Sequence, residues 1–389
     1  MRIIALILCL LNFQYVKAVE ATRYTSVIHQ HYQAPRALGM GNAFVAVAND
    51  YSALFYNPAG LALVEENDLN MSFDLAGSLK FADLLSDIDK AQSTPGSDSD
   101  KQDAIVATLE KYYGERLSIR FGSPQAIWAR PGWAVGVIPF DVTMRTSVHS
   151  TVGPAIQASV HADTTVAYGY GDRVKGFEHG KLYWGVTGKA VHRGYFSQNV
   201  NFLELAADPN VVSDDDLTSG VTVDADIGLI WKPHIPESGL FSLLEYTKPS
   251  FGLVVRNVLE MGFENSGFLG KDNQTTPEKM YRTLDIGSRW EYPSFWIFGG
   301  RGVMDFRDIL HPEYSFMKGL HLGFEFDWTV ASWWKGQYRF GFSQGFLTAG
   351  LSAMFTIFNL DVVTYAENMG TDSTPIENRY VMARFNLNF

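Results

Sequence analysis

Alternation with a period of two, carrying acidic residues on its second face, constrains this chain more than any other feature. Leu69, Met71, Phe73 and Leu75 alternate with Asn70, Ser72 and Asp74. Val221, Val223, Ala225, Ile227, Leu229 and Trp231 alternate with Thr222, Asp224, Asp226 and Gly228. Leu320, Leu322, Phe324, Phe326 and Trp328 alternate with His321, Gly323, Glu325 and Asp327. Carboxylates on the second face are hard to bury in a sandwich, whose polar face needs bulk water. They fit strands with lipid on one side and a wet lumen on the other. The chain ends the same way, with Val381, Ala383, Phe385, Leu387 and Phe389 opposite Tyr380, Met382, Arg384, Asn386 and Asn388.

Composition agrees with that reading. Only 19% of the 389 residues are charged, 14% are aromatic and 35 are glycine, and the net charge of −11 argues against a nucleic-acid partner. After the N-terminus no apolar run reaches helix-spanning length, so the remaining way across a membrane is a closed β-barrel. Residues 3–11 form an apolar run of signal-peptide length behind Arg2, and Val16-Lys17-Ala18 places cleavage after Ala18, with Ala21 as a weaker site. The sole cysteine, Cys9, falls inside that run, so the mature chain is expected to hold no disulfide, thiol nucleophile or cysteine metal ligand. The expected division is a signal peptide over 1–18, an N-terminal segment over 19–66 and a barrel over 67–389.

Residues 36–64 are apolar but broken and rich in small side chains: Gly39, Gly41, Ala43, Ala46, Ala48, Ala53, Ala59 and Gly60. Asn57 before Pro58 forces an extended or turn geometry, and Gly60 lets the backbone double back. Such a segment packs by close backbone approach inside something wider. The succession of GMG, an A-x-V-A run, an N-D pair and N-P-A-G-L-A resembles the plug of FadL-like outer-membrane proteins. That group includes long-chain fatty-acid and aromatic-hydrocarbon channels, PorV-type secretion proteins and TraF-like conjugation proteins. The N-P-A-G-L-A wording is closer to the last two. The final strand likewise resembles the C-terminal signature that the outer-membrane assembly machinery reads, ending on Phe389. The resemblance implies an all-β fold: a transmembrane antiparallel barrel of about 14 strands, in the bacterial outer membrane, with both termini periplasmic.

Alternation places strands at 68–77, 115–122, 132–149, 155–171, 181–193, 220–232, 249–259, 281–291, 295–304, 319–328, 336–343, 346–356, 358–366 and 378–389. The long connections then fall at one end. That over 78–114 reads as a surface loop in which a Ser/Asp/Gly-rich break precedes one short helix. Tryptophans cluster at the other end: Trp128 with Trp133, Trp290 with Trp296, and Trp328 with Trp333 and Trp334. Amphipathic rings prefer the headgroup boundary.

Few residues suggest chemistry. Gly341-Phe342-Ser343-Gln344-Gly345 has the spacing of a hydrolase elbow, but a second strand pattern follows where a helix is needed, so a hairpin is expected. His29-x-His31 offers two ligands without a third, and Asp214-Asp215-Asp216 lacks the ligand spacing of a calcium loop. Asn273-Gln274-Thr275 is a glycosylation sequon, without meaning in a bacterial host. No cofactor, metal or enzymatic activity is expected. Pro139 interrupts the third strand; it marks either a break in the wall, as in the kinked third strand of FadL-like channels, or a turn between two shorter strands.

The expected function is a passive outer-membrane channel for small hydrophobic molecules such as fatty acids. Met261, Phe263, Phe268 and Leu269 would capture ligand in a loop, and the plug around Gly39, Gly41, Asn57, Pro58, Ala59 and Gly60 would gate the bore. Pro139 would mark a lateral exit into membrane lipid. The rival reading is a non-transport partner or scaffold of a secretion or conjugation system. A continuous apolar path through the lumen favours the channel, and a polar, filled lumen favours the partner.

Overall fold

A computed structural model describes residues 27–150, 154–201, 218–235, 245–265, 276–295, 298–331, 333–355 and 358–388. The expected signal peptide, Phe268, Leu269, the Asp214–Asp216 run, the sequon, Trp296 and Phe389 lie outside them.

Fourteen antiparallel strands form one closed barrel in sequence order. One flank is built by β1 (Asp68–Gly77), β2 (Arg116–Arg130), β3 (Trp133–Ser150), β4 (Pro154–Arg173) and β5 (Gly180–Asn201). It continues through β6 (Thr218–Pro233), β7 (Ser250–Arg256), β8 (Thr283–Phe295) and β9 (Phe298–Ile309). It is completed by β10 (Leu320–Ala331), β11 (Trp334–Ser343), β12 (Phe346–Phe355), β13 (Phe358–Asn368) and β14 (Glu377–Asn388). Closure is made by β14 on β1, in register from Asn70 opposite Asn388 to Gly77 opposite Val381. Every backbone ladder is thereby paired around the ring, as a bilayer requires of a spanning sheet.

The two faces are inverted relative to a soluble protein. On β1, Met71, Phe73 and Leu75 are exposed while Asn70, Ser72 and Asp74 are buried. On β14, Val381 and Phe385 face out while Arg384 and Asn386 are buried. The alternation fixes register, because a one-residue slip would put carboxylates into lipid. Rings meet at the short-turn end: Trp128 with Trp133, Tyr170 with Trp184, Phe251 with both Trp231 and Trp290, and the buried Trp328 with the exposed Trp334. An apolar exterior, a polar interior and a belt of rings describe a membrane-spanning barrel.

Several expectations need correction. The connection after β1 holds two helices, Leu79–Gln92 and Asp98–Glu110, rather than one. The second begins inside the Ser/Asp-rich stretch, because Ser97 and Asp100 cap each other's backbone N–H groups. β2 runs on to Arg130, past Gly122-Ser123-Pro124 where it was expected to stop, and β7 is shorter than expected. β3 is one strand through Pro139, not two strands joined by a turn. The ladder is nonetheless interrupted there. Pairing with β2 passes from Val137–Ala126 to Asp141–Gly122, and pairing with β4 from Ile138–Thr165 to Asp141–Asp163.

Candidate functional site

Residues 29–64 pack against the inward-facing side of the strands, and what holds them begins with short-range geometry. Pro35 opens the helix Pro35–Gly39, and Gly41 and Asn42 leave it with φ of +64° and +63°. Asn57 is fully buried and caps the 3-10 helix Pro58–Leu63, its Oδ1 accepting from Ala59 N at 3.1 Å. Its Nδ2 donates to Val45 O at 2.7 Å and to Leu229 O of β6 at 3.2 Å, so one side chain ties two parts of the segment to the wall. A β-carbon on Gly60 would lie 2.0 Å from Ala48 O, and one on Gly41 would lie 2.4 Å from carbonyl oxygens of both β10 and β11. Ala59 packs on Tyr183 and Ile230. Gly39 lies against Arg339 and Gly350.

The wall answers with its own glycines. A β-carbon on Gly185 of β5 would lie 2.3 Å from Pro58, and one on Gly228 of β6 would lie 2.0 Å from Asn57 Oδ1. Gly252, Gly323 and Gly341, on β7, β10 and β11, meet the backbone of Val45, Met40 and Gly41 in the same way. Sequence reasoning took the segment's small residues as the signal and missed this second set, which was visible as glycines at lumen-facing positions of the alternation.

Charged side chains satisfy the remaining backbone. Asp305 accepts from Phe44 N at 2.5 Å and Val45 N at 2.8 Å. Arg307 donates to Asn42 O at 2.8 Å, Arg384 to Gln33 O at 2.7 Å and Arg256 to Tyr56 O at 2.7 Å. Arg36 of the segment pairs with Glu325, which also accepts from Arg339 at 2.9 Å. Each orphaned N–H or C=O here would cost about 1–3 kcal/mol, so the lumen-facing charges are the segment's solvent.

Above the segment, at the long-loop end, lies a cavity of about 450 Å³. Its floor is Val27, Ile28, His29, His31, Tyr32 and Phe55. Its walls include Arg145 of β3, His161 of β4, Lys189 and Tyr195 of β5, and Met280, Tyr281 and His311 of the loops. Apolar surface and cations therefore share one chamber. The cations are held from behind: Arg145 by Glu367 at 2.8 Å, Lys189 by Asp226 at 2.7 Å and Arg193 by Asp163 at 2.8 Å. Burial pushes His29 down to about 4, and His31 well below the ordinary imidazole value with Lys189 adding to the effect. Both floor histidines are thus neutral at pH 7.

Of the expected ligand-capturing residues, Met261 and Phe263 do not line this cavity, and Phe268 and Leu269 lie outside the described residues. Met261 is 48% exposed outside it. Phe263 is buried behind the wall, its ring 5.2 Å from the Arg193 guanidinium. Met280 and Tyr281, further along the same connection, take the lining positions. At Pro139 the interrupted ladder is bridged by two hydroxyls: Ser123 Oγ accepts from Phe140 N at 3.0 Å, and Thr164 Oγ1 donates to Pro139 O at 2.6 Å. Phe140 itself is 57% exposed on the outer face.

Ser343 ends β11, and Gln344-Gly345 is a two-residue hairpin with both φ positive, not a nucleophile elbow. His321 Nδ1 lies 3.1 Å from Ser343 Oγ but donates its proton to Gly41 O at 2.6 Å, so it is not free to take one from the serine. Among the described residues no three metal-ligating side chains converge.

No family model matches this chain, and no curated protein matches it. Solved structures do resemble it in shape. The Ralstonia pickettii toluene transporter TbuX is 11% identical, with 92% of this chain and 98% of that one covered at a TM-score of 0.48. The CymD monoaromatic hydrocarbon channel is also 11% identical, covering 91% and 97% at 0.48. The Pseudomonas putida toluene transporter TodX is 8% identical, covering 94% and 97% at 0.45.

Proposed function

We propose that this protein is an outer-membrane channel in which residues 27–66 act as the plug, and that the loop-end cavity receives small molecules with an apolar body and a polar or anionic head. The observation that carries this reading is the chamber itself: about 450 Å³, open to the loop end, with Ile28, Phe55 and Met280 beside Arg145 and Lys189. Fatty acids are the plainest members of that class. The bore below is filled by paired charges and close backbone contacts, so a ligand leaving the cavity with the plug in place needs a way through the wall. The bridged interruption at Pro139 supports a lateral exit there, opened when the Ser123 and Thr164 contacts part.

Binding of a medium-chain carboxylate to the detergent-solubilised barrel, followed by its uptake into proteoliposomes, tests the reading. Saturable binding that falls about tenfold in Ile28→Trp, which fills the chamber, is the expected result. Absence of saturable binding in the folded wild-type barrel would overturn it.

A second reading has one observation in its favour. The charged, filled lower lumen supports a non-transport partner of a secretion or conjugation system, and stoichiometric recovery of one soluble protein with a ligand-free barrel would establish it.

A further inference from the structure

Residues 27–32 run as an arm along the cavity floor: Gln30 is bonded to Asp308, Asn42 and Arg120, and Tyr32 is buried in a stack on Phe55, while the leading end, residues 27–29, is seated by one imidazole. His29 stacks on His161 of β4, with ring centroids 4.0 Å apart and planes 16° from parallel. His161 in turn lies 4.7 Å from the Tyr195 ring of β5. The Nε2–H of His29 donates to Asp163 Oδ2 at 2.9 Å. Asp163 already accepts from Nε and Nη2 of Arg193, one on each carboxylate oxygen, at 2.8 Å each. The groups facing His29 are therefore Asp163 and His161 from β4, Arg193 and Tyr195 from β5, and Arg145 from β3, with His31 following on the arm itself.

With Nε2 committed to Asp163, a second proton can enter His29 only at Nδ1. That atom is buried and has no hydrogen-bond partner. An N–H placed there would find no acceptor, and the resulting cation would lie in van der Waals contact with a second imidazole and beside two guanidiniums. Among the described residues one carboxylate, Asp163, shared with Arg193, is the direct counter-charge.

We propose that the His29–His161 stack is a proton-operated latch: uptake of a proton at His29 Nδ1 releases residues 27–29 from the wall and enlarges the cavity from within. Geometry alone assigns the site, and it stands whether or not the barrel transports. The depressed affinity of His29 for protons, about 4 when docked against 6.5 for a free imidazole, sets the window. The docked arm is neutral and the released arm takes up the proton. Docking is therefore at full strength above about pH 6.5 and weakens as pH falls through the interval to about 4. At about pH 5 the docking constant falls by about thirty-fold for this histidine.

A nitroxide on Val27→Cys, in full-length processed protein in nanodiscs, reports release directly, and the heat-modifiable gel shift reports the barrel. The label is expected to be immobile at about pH 7.5 and mobile at about pH 4.5 while the barrel stays folded. In His29→Gln, which keeps the donor to Asp163 but cannot take a second proton, it stays immobile at both. A wild-type label unmoved by pH, or the same transition in His29→Gln, overturns the latch. If His29→Gln does not assemble, His161→Phe decides. It keeps a stacked ring without the second imidazole and is expected to move the midpoint by about half a pH unit, and an unmoved midpoint overturns the proposal.

Discussion

The lower and upper halves of the lumen solve opposite problems with the same strands. Below, from Gly39 to Leu63, the segment touches the wall through glycines and its backbone is met by Asp305, Arg307, Arg256 and Asn57, so little can move without orphaning a buried group. Above, the wall withdraws, the contacts become ring on ring, and about 450 Å³ is left open. Close backbone approach needs glycine and saturates every hydrogen bond. A chamber needs bulky, partly satisfied side chains that hold each other apart. The difference teaches that the segment is one chain with two mechanical characters, a clamped body and an arm whose leading end hangs on one ring stack and one carboxylate.

Four substitutions test that contrast. Glu325→Gln should be the most damaging, because it leaves Arg36, Arg339 and Arg301 without their shared carboxylate at the base of the clamp. A loss of about 3–5 kcal/mol in urea unfolding is expected. Gly228→Val drives a side chain into Asn57 and should cost about 3 kcal/mol, read as reduced yield of the heat-modifiable barrel. Asn57→Ala removes bonds to Val45 O, Leu229 O and Ala59 N, and a loss of about 2–3 kcal/mol is expected by the same unfolding assay. Ile28→Trp, in the arm, should change stability by less than about 1 kcal/mol while abolishing most ligand binding by calorimetry. Equal losses from Asn57→Ala and Ile28→Trp would mean that the two halves are not distinct.

The barrel was largely legible because its physics is local. Alternation at Leu69–Leu75 and Val381–Leu387 states which face meets lipid, and a closed barrel leaves no other arrangement for so many such strands. Turn chemistry placed the hairpin at Gln344-Gly345. Element ends were less legible where a rule of thumb met a closed ring. Gly122 and Pro124 look like a strand end, yet β2 continues, because stopping there would leave β1 and β3 unpaired in the membrane.

By itself, then, the order of residues determined the strand pattern, the inverted faces and the packing of a small-residue segment against something close, since each follows from periodicity or side-chain size. Only the tertiary structure decided which residues form the chamber. Met280 and Tyr281 line it while Met261 and Phe263 do not, and His29 meets His161 across 132 positions of sequence. Those choices depend on strand register and on where each loop folds back over the mouth, and neither leaves a periodic trace in the chain.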